Sequence, residues 1–160
     1  MLFPDQVYNE VNEQLRDAVM SMIDQERKGG NINQALLKDV LDIYVEMGMD
    51  SMKYYEDFEV DMLKATAEYY STKASQWIAI NSYNDYMLKV DECLKQETNR
   101  ASCYLHSSSK QKLLKVVEQE LSMYAGELQE NALTKDVLEM GKAYTNLEVG
   151  ALKRENDKTT

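Results

Sequence analysis

Between Ser82 and Leu105 the chain reads SYNDYMLKVDECLKQETNRASCYL, and this stretch decides the fold. Its apolar residues Tyr83, Tyr86, Met87, Val90, Leu94, Ala101, Tyr104 and Leu105 return every three or four positions, which puts them on one face of a helix. Ser82 and Asp85 stand three apart at its start, in the manner of a capping box with Asp for the usual Glu. One residue breaks the pattern: Glu97 falls on the apolar stripe. Pairing with Arg100, one turn on, accounts for it without any catalytic role.

The same rhythm runs outward in both directions. Upstream, residues 51–80 place Tyr55, Phe58, Met62, Thr66, Tyr69 and Trp77 within about 100° of arc. A second segment, with Asn31 or Asn33 as its cap and Gly48 closing it, carries Leu36, Leu37, Val40, Leu41, Tyr44 and Val45. The first segment, 5–28, carries Val7, Val11, Leu15, Ala18, Val19 and Met22 before Gly29-Gly30 ends it. Downstream, Ser107-Ser108-Ser109 precedes a helix with Leu113, Leu114, Val117, Leu121, Tyr124 and Leu128. A last helix is expected over 134–152, its apolar residues Val137, Leu138, Met140, Tyr144, Leu147, Val149 and Leu152 spread around more than half its circumference. Residues 153–160 are polar and expected to fray. With six Gly, one Pro and no strand signal in 160 residues, the expected fold is all-α, a bundle of five or six helices.

Charge narrows the function. Eighteen basic residues against 28 acidic ones leave a formal net charge of −10. Nucleic acid and anionic membrane surfaces are repelled by such a chain. The densest basic cluster, Lys110, Lys112 and Lys115, is too thin to reverse that. Cys93 and Cys103 are ten residues apart, about 15 Å along one helix and beyond disulfide reach. Residues 1–5 lack the basic and apolar regions of a secretory signal. No apolar run approaches the roughly 18 residues of a membrane span. A cytoplasmic or nuclear location is expected.

Candidate chemistry is sparse. The one histidine, His106, has Cys103 three residues before it and no Glu-x-x-His partner, so a carboxylate metal centre is not expected. His106 is better read as sitting at a helix end and bonding terminal carbonyls. The window Asp50–Asp61 fails as a calcium loop, since Met52, Tyr54 and Tyr55 occupy positions that need oxygen ligands and Gly. The acids from Glu56 to Asp61 read instead as a solvated face. Gly29-Gly30 lacks the lysine and strand of a phosphate loop. Eleven Tyr, ten Met and Trp77 could suggest a ligand pocket or a Met-rich groove, but nearly all the aromatics fall on the stripes and core packing is the better account. No catalytic, cofactor-binding or metal residue is expected, and no cofactor.

Several strings carry a resemblance. They are Leu2-Phe3, then Val11 to Arg27 ending Ile23-Asp24-Gln25-Glu26-Arg27, and Ala35-Leu36-Leu37-Lys38-Asp39-Val40-Leu41-Asp42-Ile43-Tyr44-Val45-Glu46-Met47-Gly48. There follow Tyr54-Tyr55-Glu56-Asp57-Phe58-Glu59, Tyr69-Tyr70-Ser71 with Lys73-Ala74-Ser75 and Trp77, and Asp85-Tyr86-Met87-Leu88-Lys89. Glu92-Cys93-Leu94-Lys95 and Tyr104-Leu105-His106-Ser107-Ser108-Ser109 complete the set. From Leu2 to about Leu121 the chain resembles the cullins, most of all the plant cullins of Skp–cullin–F-box ubiquitin ligases.

The resemblance implies a non-enzymatic scaffold that binds the protein partners of cullin-RING ligases. In it, 1–28 corresponds to the end of a first cullin repeat and 29–130 to a second. Residues 131–152 would be a diverged C-terminal helix and 153–160 its tail. The adaptor-binding helices of the family lie upstream of this stretch. Its RING-binding domain and modified lysine lie downstream, so no functional residue is carried over. A truncated cullin paralogue that competes for stalk-gripping partners is a second expectation, and an unrelated helical ligand-binding bundle a third. At either end, apolar surface left by missing neighbours is expected to favour self-association.

Overall fold

The breaks in the apolar rhythm become helix ends. The computed structural model describes residues 4–158, with side chains described for 9–130, 133, 135 and 137–142. Five α-helices follow one another: α1 (Pro4–Arg27), α2 (Gln34–Met47), α3 (Lys53–Ile80), α4 (Tyr83–Tyr104) and α5 (Lys110–Lys158). A single 3-10 turn, Ser107–Ser109, lies between α4 and α5. There is no strand among the described residues.

Local chemistry sets the ends. Gly29 takes φ +91°, a left-handed conformation that costs glycine little, and the backbone N–H of Gly30 closes on Gln25 O at 2.8 Å. Asn33 caps α2 by accepting from Leu36 N at 3.0 Å. Gly48 then lets the chain fold back so tightly that a Cβ there would collide with Ser51 O. Ser82 accepts from Asp85 N at 3.2 Å, the forward half of the expected capping box.

The long helices α3 and α4 both pack on the first half of α5, and α2 covers α3 and α4. Two apolar clusters result. The first joins Val19 and Ile23 of α1 to Leu37, Leu41 and Tyr44 of α2, Tyr55, Phe58 and Met62 of α3, Ala101 and Tyr104 of α4, and Leu113 of α5. Within it, Tyr44 and Phe58 stack with centroids 6.0 Å apart. The second joins Tyr70 and Ala74 of α3 to Tyr86, Val90 and Cys93 of α4, and Val117 and Leu121 of α5. Fully burying such a side chain contributes about 1.5–3 kcal/mol.

Several expectations shift. On α1 the buried residues are Val19 and Ile23, whereas Val11 is 55% exposed and Ala18 is exposed. Among the described side chains of α1, the buried ones lie in its C-terminal half; Val7 lies outside the described side chains. On α2, Leu36 faces solvent. On α3 the stripe advances by fours, so Tyr70 and Ala74 are buried while Tyr69 and Trp77 are half-buried. The separate helix expected over 134–152 is the distal part of one continuous α5. Residues 129–134, Gln-Glu-Asn-Ala-Leu-Thr, are mostly polar but contain no Gly or Pro, so nothing in them stops a helix. Gly141, with no second breaker beside it, costs roughly 1 kcal/mol and does not end the helix.

Candidate functional site

Between the two apolar clusters lies a layer of buried charge. On α4 the buried stripe steps from Cys93 to Glu97 to Ala101, and on α3 from Met62 to Thr66 to Tyr70, so Glu97 and Thr66 share one level of the core. Arg27, the last residue of α1, reaches into that level. Its Nε donates to Glu97 Oε1 at 3.0 Å and its Nη2 to Glu97 Oε2 at 3.3 Å, a two-pronged grip. The same Nη2 donates to Thr66 Oγ1 at 2.7 Å, and Thr66 donates in turn to Met62 O at 2.7 Å. Arg27 also lies over the rings of Tyr69 and Tyr70, at 5.6 and 5.8 Å.

Arg100 completes the layer. It bonds Glu97 through Nη1, and its Nε lies 3.1 Å from Glu26 Oε1. Glu26 accepts further from Tyr104 OH at 3.0 Å and Gln34 Nε2 at 2.7 Å. Tyr70 OH donates to Glu97 Oε1 at 2.5 Å. Two arginines and two glutamates thus face one another, and the side chains of Glu97 and Arg27 are only 1% and 4% exposed. Isolated buried charges would be prohibitive; here each is paired and hydrogen-bonded.

Electrostatics follow from this geometry. Burial works to raise the Glu97 pKa, but Arg27 and Arg100 and the bonds to them win, so the carboxyl is held below its usual range. For Arg27, burial works to lower the pKa and Glu97 outweighs it, leaving the guanidinium raised. Tyr70 and Tyr104 are pushed well up by burial and by the carboxylates they face, which keeps both phenols protonated as donors. The Cys93 thiol is pushed up to about 11 by burial and by Glu97, so it packs as an inert small residue. Cys93 and Cys103 are both free thiols.

A second polar cluster pins the corner between α4 and α5. His106 N donates to Tyr55 OH at 3.0 Å, and Ser109 Oγ donates to Glu59 Oε2 at 2.6 Å. The 2.7 Å contact between Tyr55 OH and Ser109 Oγ therefore runs from tyrosine to serine. The relay ends on the Glu59 carboxylate, which Lys112 Nζ meets at 2.8 Å. His106 does sit at a helix end. Its Nδ1, however, accepts from Ser108 N at 3.2 Å and caps the 3-10 turn, where bonding to terminal carbonyls was expected. Glu59 corrects another expectation. It is buried, while Glu56 and Asp57 are exposed, because α3 turns one acid of that run toward Ser109.

Sequence reasoning singled out Glu97 and paired it correctly with Arg100. It missed Arg27, Glu26 and Tyr70, whose partners lie 27 to 78 residues away. A departure from period reveals one member of such a cluster; spacing cannot reveal partners on other helices. Ser109 gave no signal beyond three serines in a row. The surface groove between α1 and α3, bordered by Asp17, Asp24, Lys28, Glu68, Tyr69 and Lys73, is open and charged on both sides. Among the described residues no group of three or more His, Cys, Asp or Glu is placed to hold a metal ion. No helix among them is long and apolar enough to cross a membrane.

What the arrangement does chemically is hold helices, since the buried carboxylates Glu97, Glu26 and Glu59 each bond side chains of other elements of the same body. Comparison with known proteins agrees with an all-helical framework. The family model for the cullin alpha solenoid domain matches residues 1–149. Cullin-1 of Oryza sativa subsp. japonica is 57% identical over 130 residues, covering 80% of this chain and 18% of the relative. Cullin-2 of Arabidopsis thaliana is 46% identical over 120 residues, 74% of this chain and 16% of the relative. Cullin-like protein 3 of Arabidopsis thaliana is 45% identical over 115 residues, 71% of this chain and 45% of the relative. The chain spans less than half the length of each of these relatives.

Proposed function

The chain belongs to the cullin family, and on that premise we propose that it is a stalk segment of a Skp–cullin–F-box type ubiquitin ligase. It serves ubiquitin-dependent protein degradation by holding protein partners at a fixed separation and performs no catalysis itself. Residues 1–28 and 29–130 act as the end of one cullin repeat and the body of the next. The work is done in the cytoplasm or nucleus.

The observation that carries this reading is the ionic layer. A scaffold has to transmit position from one end to the other, and that requires helices that cannot slide. Glu97 is gripped from α1, α3 and α4 at once. Because ion pairs are directional where apolar contacts are not, such a layer fixes register between helices that greasy faces alone would allow to slip.

A hybrid tests it. Residues 2–121 replace the matching stretch of the rice Cullin-1, and the hybrid is reconstituted with adaptor, F-box receptor, RING protein and conjugating enzyme. Ubiquitin transfer at the parent's rate is the expected result. A hybrid that folds and binds both sets of partners yet fails to transfer would overturn the scaffold reading. Ubiquitin chains formed by this 160-residue chain with only activating and conjugating enzymes would overturn its non-catalytic half.

A further inference from the structure

The distal part of α5 has apolar side chains that no other described residue covers. Leu133, Val137 and Met140 are 59%, 66% and 72% exposed, on a helix that continues unbroken to Lys158. Their spacing, four then three, continues along the same helix to Tyr144, Leu147 and Ala151. Six apolar positions alternating by four and three form the seam of a two-stranded coiled coil. One further step of three in each direction reaches Glu130 at one end and Arg154 at the other. We propose that this seam docks a second copy of the same chain, with the two α5 helices antiparallel.

Orientation follows from the charges. Antiparallel helices centred on residue 142 set Glu130 opposite Arg154 of the second copy at both ends of the seam. Between those pairs, Leu133 meets Ala151, Val137 meets Leu147 and Met140 meets Tyr144, so each position of one kind faces its complement. A parallel pair would stack Glu130 on Glu130 and Arg154 on Arg154, and like charges in register disfavour it. It would also bring the two bodies side by side, and nearly all of the net charge of −10 lies in the body. Antiparallel packing separates the bodies by the seam, about 36 Å from 130 to 154, several screening lengths at physiological salt.

Short coiled coils are marginal when each helix must form from coil. Here the helix already grows out of the packed half of α5, so the costly nucleus is in place before docking. The seam is still under three heptads, and a reversible dimer at micromolar concentration is expected.

Sedimentation of the full chain across a concentration series tests the proposal. The mass rises from 18.5 kDa toward twice that value, and Val137→Glu or Met140→Glu returns it to one chain with unchanged helical content. Glu130→Arg weakens the dimer at least several-fold, and adding Arg154→Glu restores it. Orientation is read by cross-linking in a Cys103→Ser background. Chains with Leu133→Cys join chains with Ala151→Cys, and neither joins its own kind. A single-chain mass at every concentration overturns the proposal, as does a dimer untouched by Val137→Glu. Leu133→Cys chains that cross-link to one another overturn the antiparallel arrangement.

Discussion

The two halves of α5 are similar in composition and opposite in circumstance. From Leu113 to Leu128 most apolar residues lie against α3 and α4, with Leu113, Val117 and Leu121 at most 1% exposed and Met123 the outward exception. From Leu133 to Met140 they are as frequent, yet Leu133, Val137, Leu138 and Met140 are 59–72% exposed. Both halves are helix. Helicity here is a local property, carried by residues that favour it and by the absence of breakers, whereas burial depends on what stands opposite. A stripe in the sequence announces a face and is silent about its partner.

The largest effect expected from breaking this contrast is at the ionic layer beneath the packed half. Glu97→Ala leaves Arg27 buried without its counter-charge and Arg100 with Glu26 alone, and costs about 3–5 kcal/mol, measured by urea unfolding. The same substitution at exposed Glu139 of the distal half shifts stability by less than about 0.5 kcal/mol. Acid sharpens the comparison. Because folding lowers the Glu97 pKa, its stabilisation is complete above the unfolded carboxyl value of about 4.3 and is lost as pH falls through the folded value. Glu97→Gln should flatten that acid limb of the stability profile; an unchanged limb would show that Glu97 is not the group responsible.

Next in size is the apolar contrast itself. Leu121→Ala opens a cavity in the second cluster and costs about 2–5 kcal/mol. Val137→Ala, at a concentration low enough to keep the chain monomeric, stays within about 0.5 kcal/mol. Equal losses at the two positions would mean that distal α5 packs on its own body.

A smaller loss is expected at the α4–α5 corner. Ser109→Ala removes the link between Tyr55 and Glu59 and leaves both partners short of a bond, at about 1–3 kcal/mol by thermal or chemical melting. Smallest, and of opposite sign, is Gly141→Ala. Nothing lies within 4 Å of a Cβ there, so the exposed helix gains roughly 0.5–1 kcal/mol, seen as added helical signal.

The ends of α1 to α4 were legible within about two residues because their causes are local: Gly29-Gly30, Asn33, Gly48 and Ser82 each act on neighbours in the chain. The family was legible for the same reason, being written in contiguous strings. Residues 129–134 misled because a mostly polar stretch interrupts the apolar stripe, although ending a helix takes a breaker and none is present. Glu59 misled because an acid among acids on a helix looks solvated, and its partner Ser109 is fifty residues away. Glu97 was visible as an interruption of period. Its arginine on α1 was not, since only packing brings residues 27 and 97 together.

The ionic layer also divides the chain's freedom to vary. Apolar side chains above and below it belong to separate clusters with few shared neighbours, so substitutions in the Tyr44–Phe58 cluster and in the Tyr86–Leu121 cluster are expected to combine additively. Residues of the layer behave otherwise. Changing Arg27 alone leaves Glu97 short of its two-pronged partner, and changing Glu97 alone strands Arg27 and leaves Arg100 with Glu26 only, so a path from this layer to an apolar one passes through intermediates less stable than either end. The two clusters can drift independently and in small steps, while the charges between them can be exchanged only together.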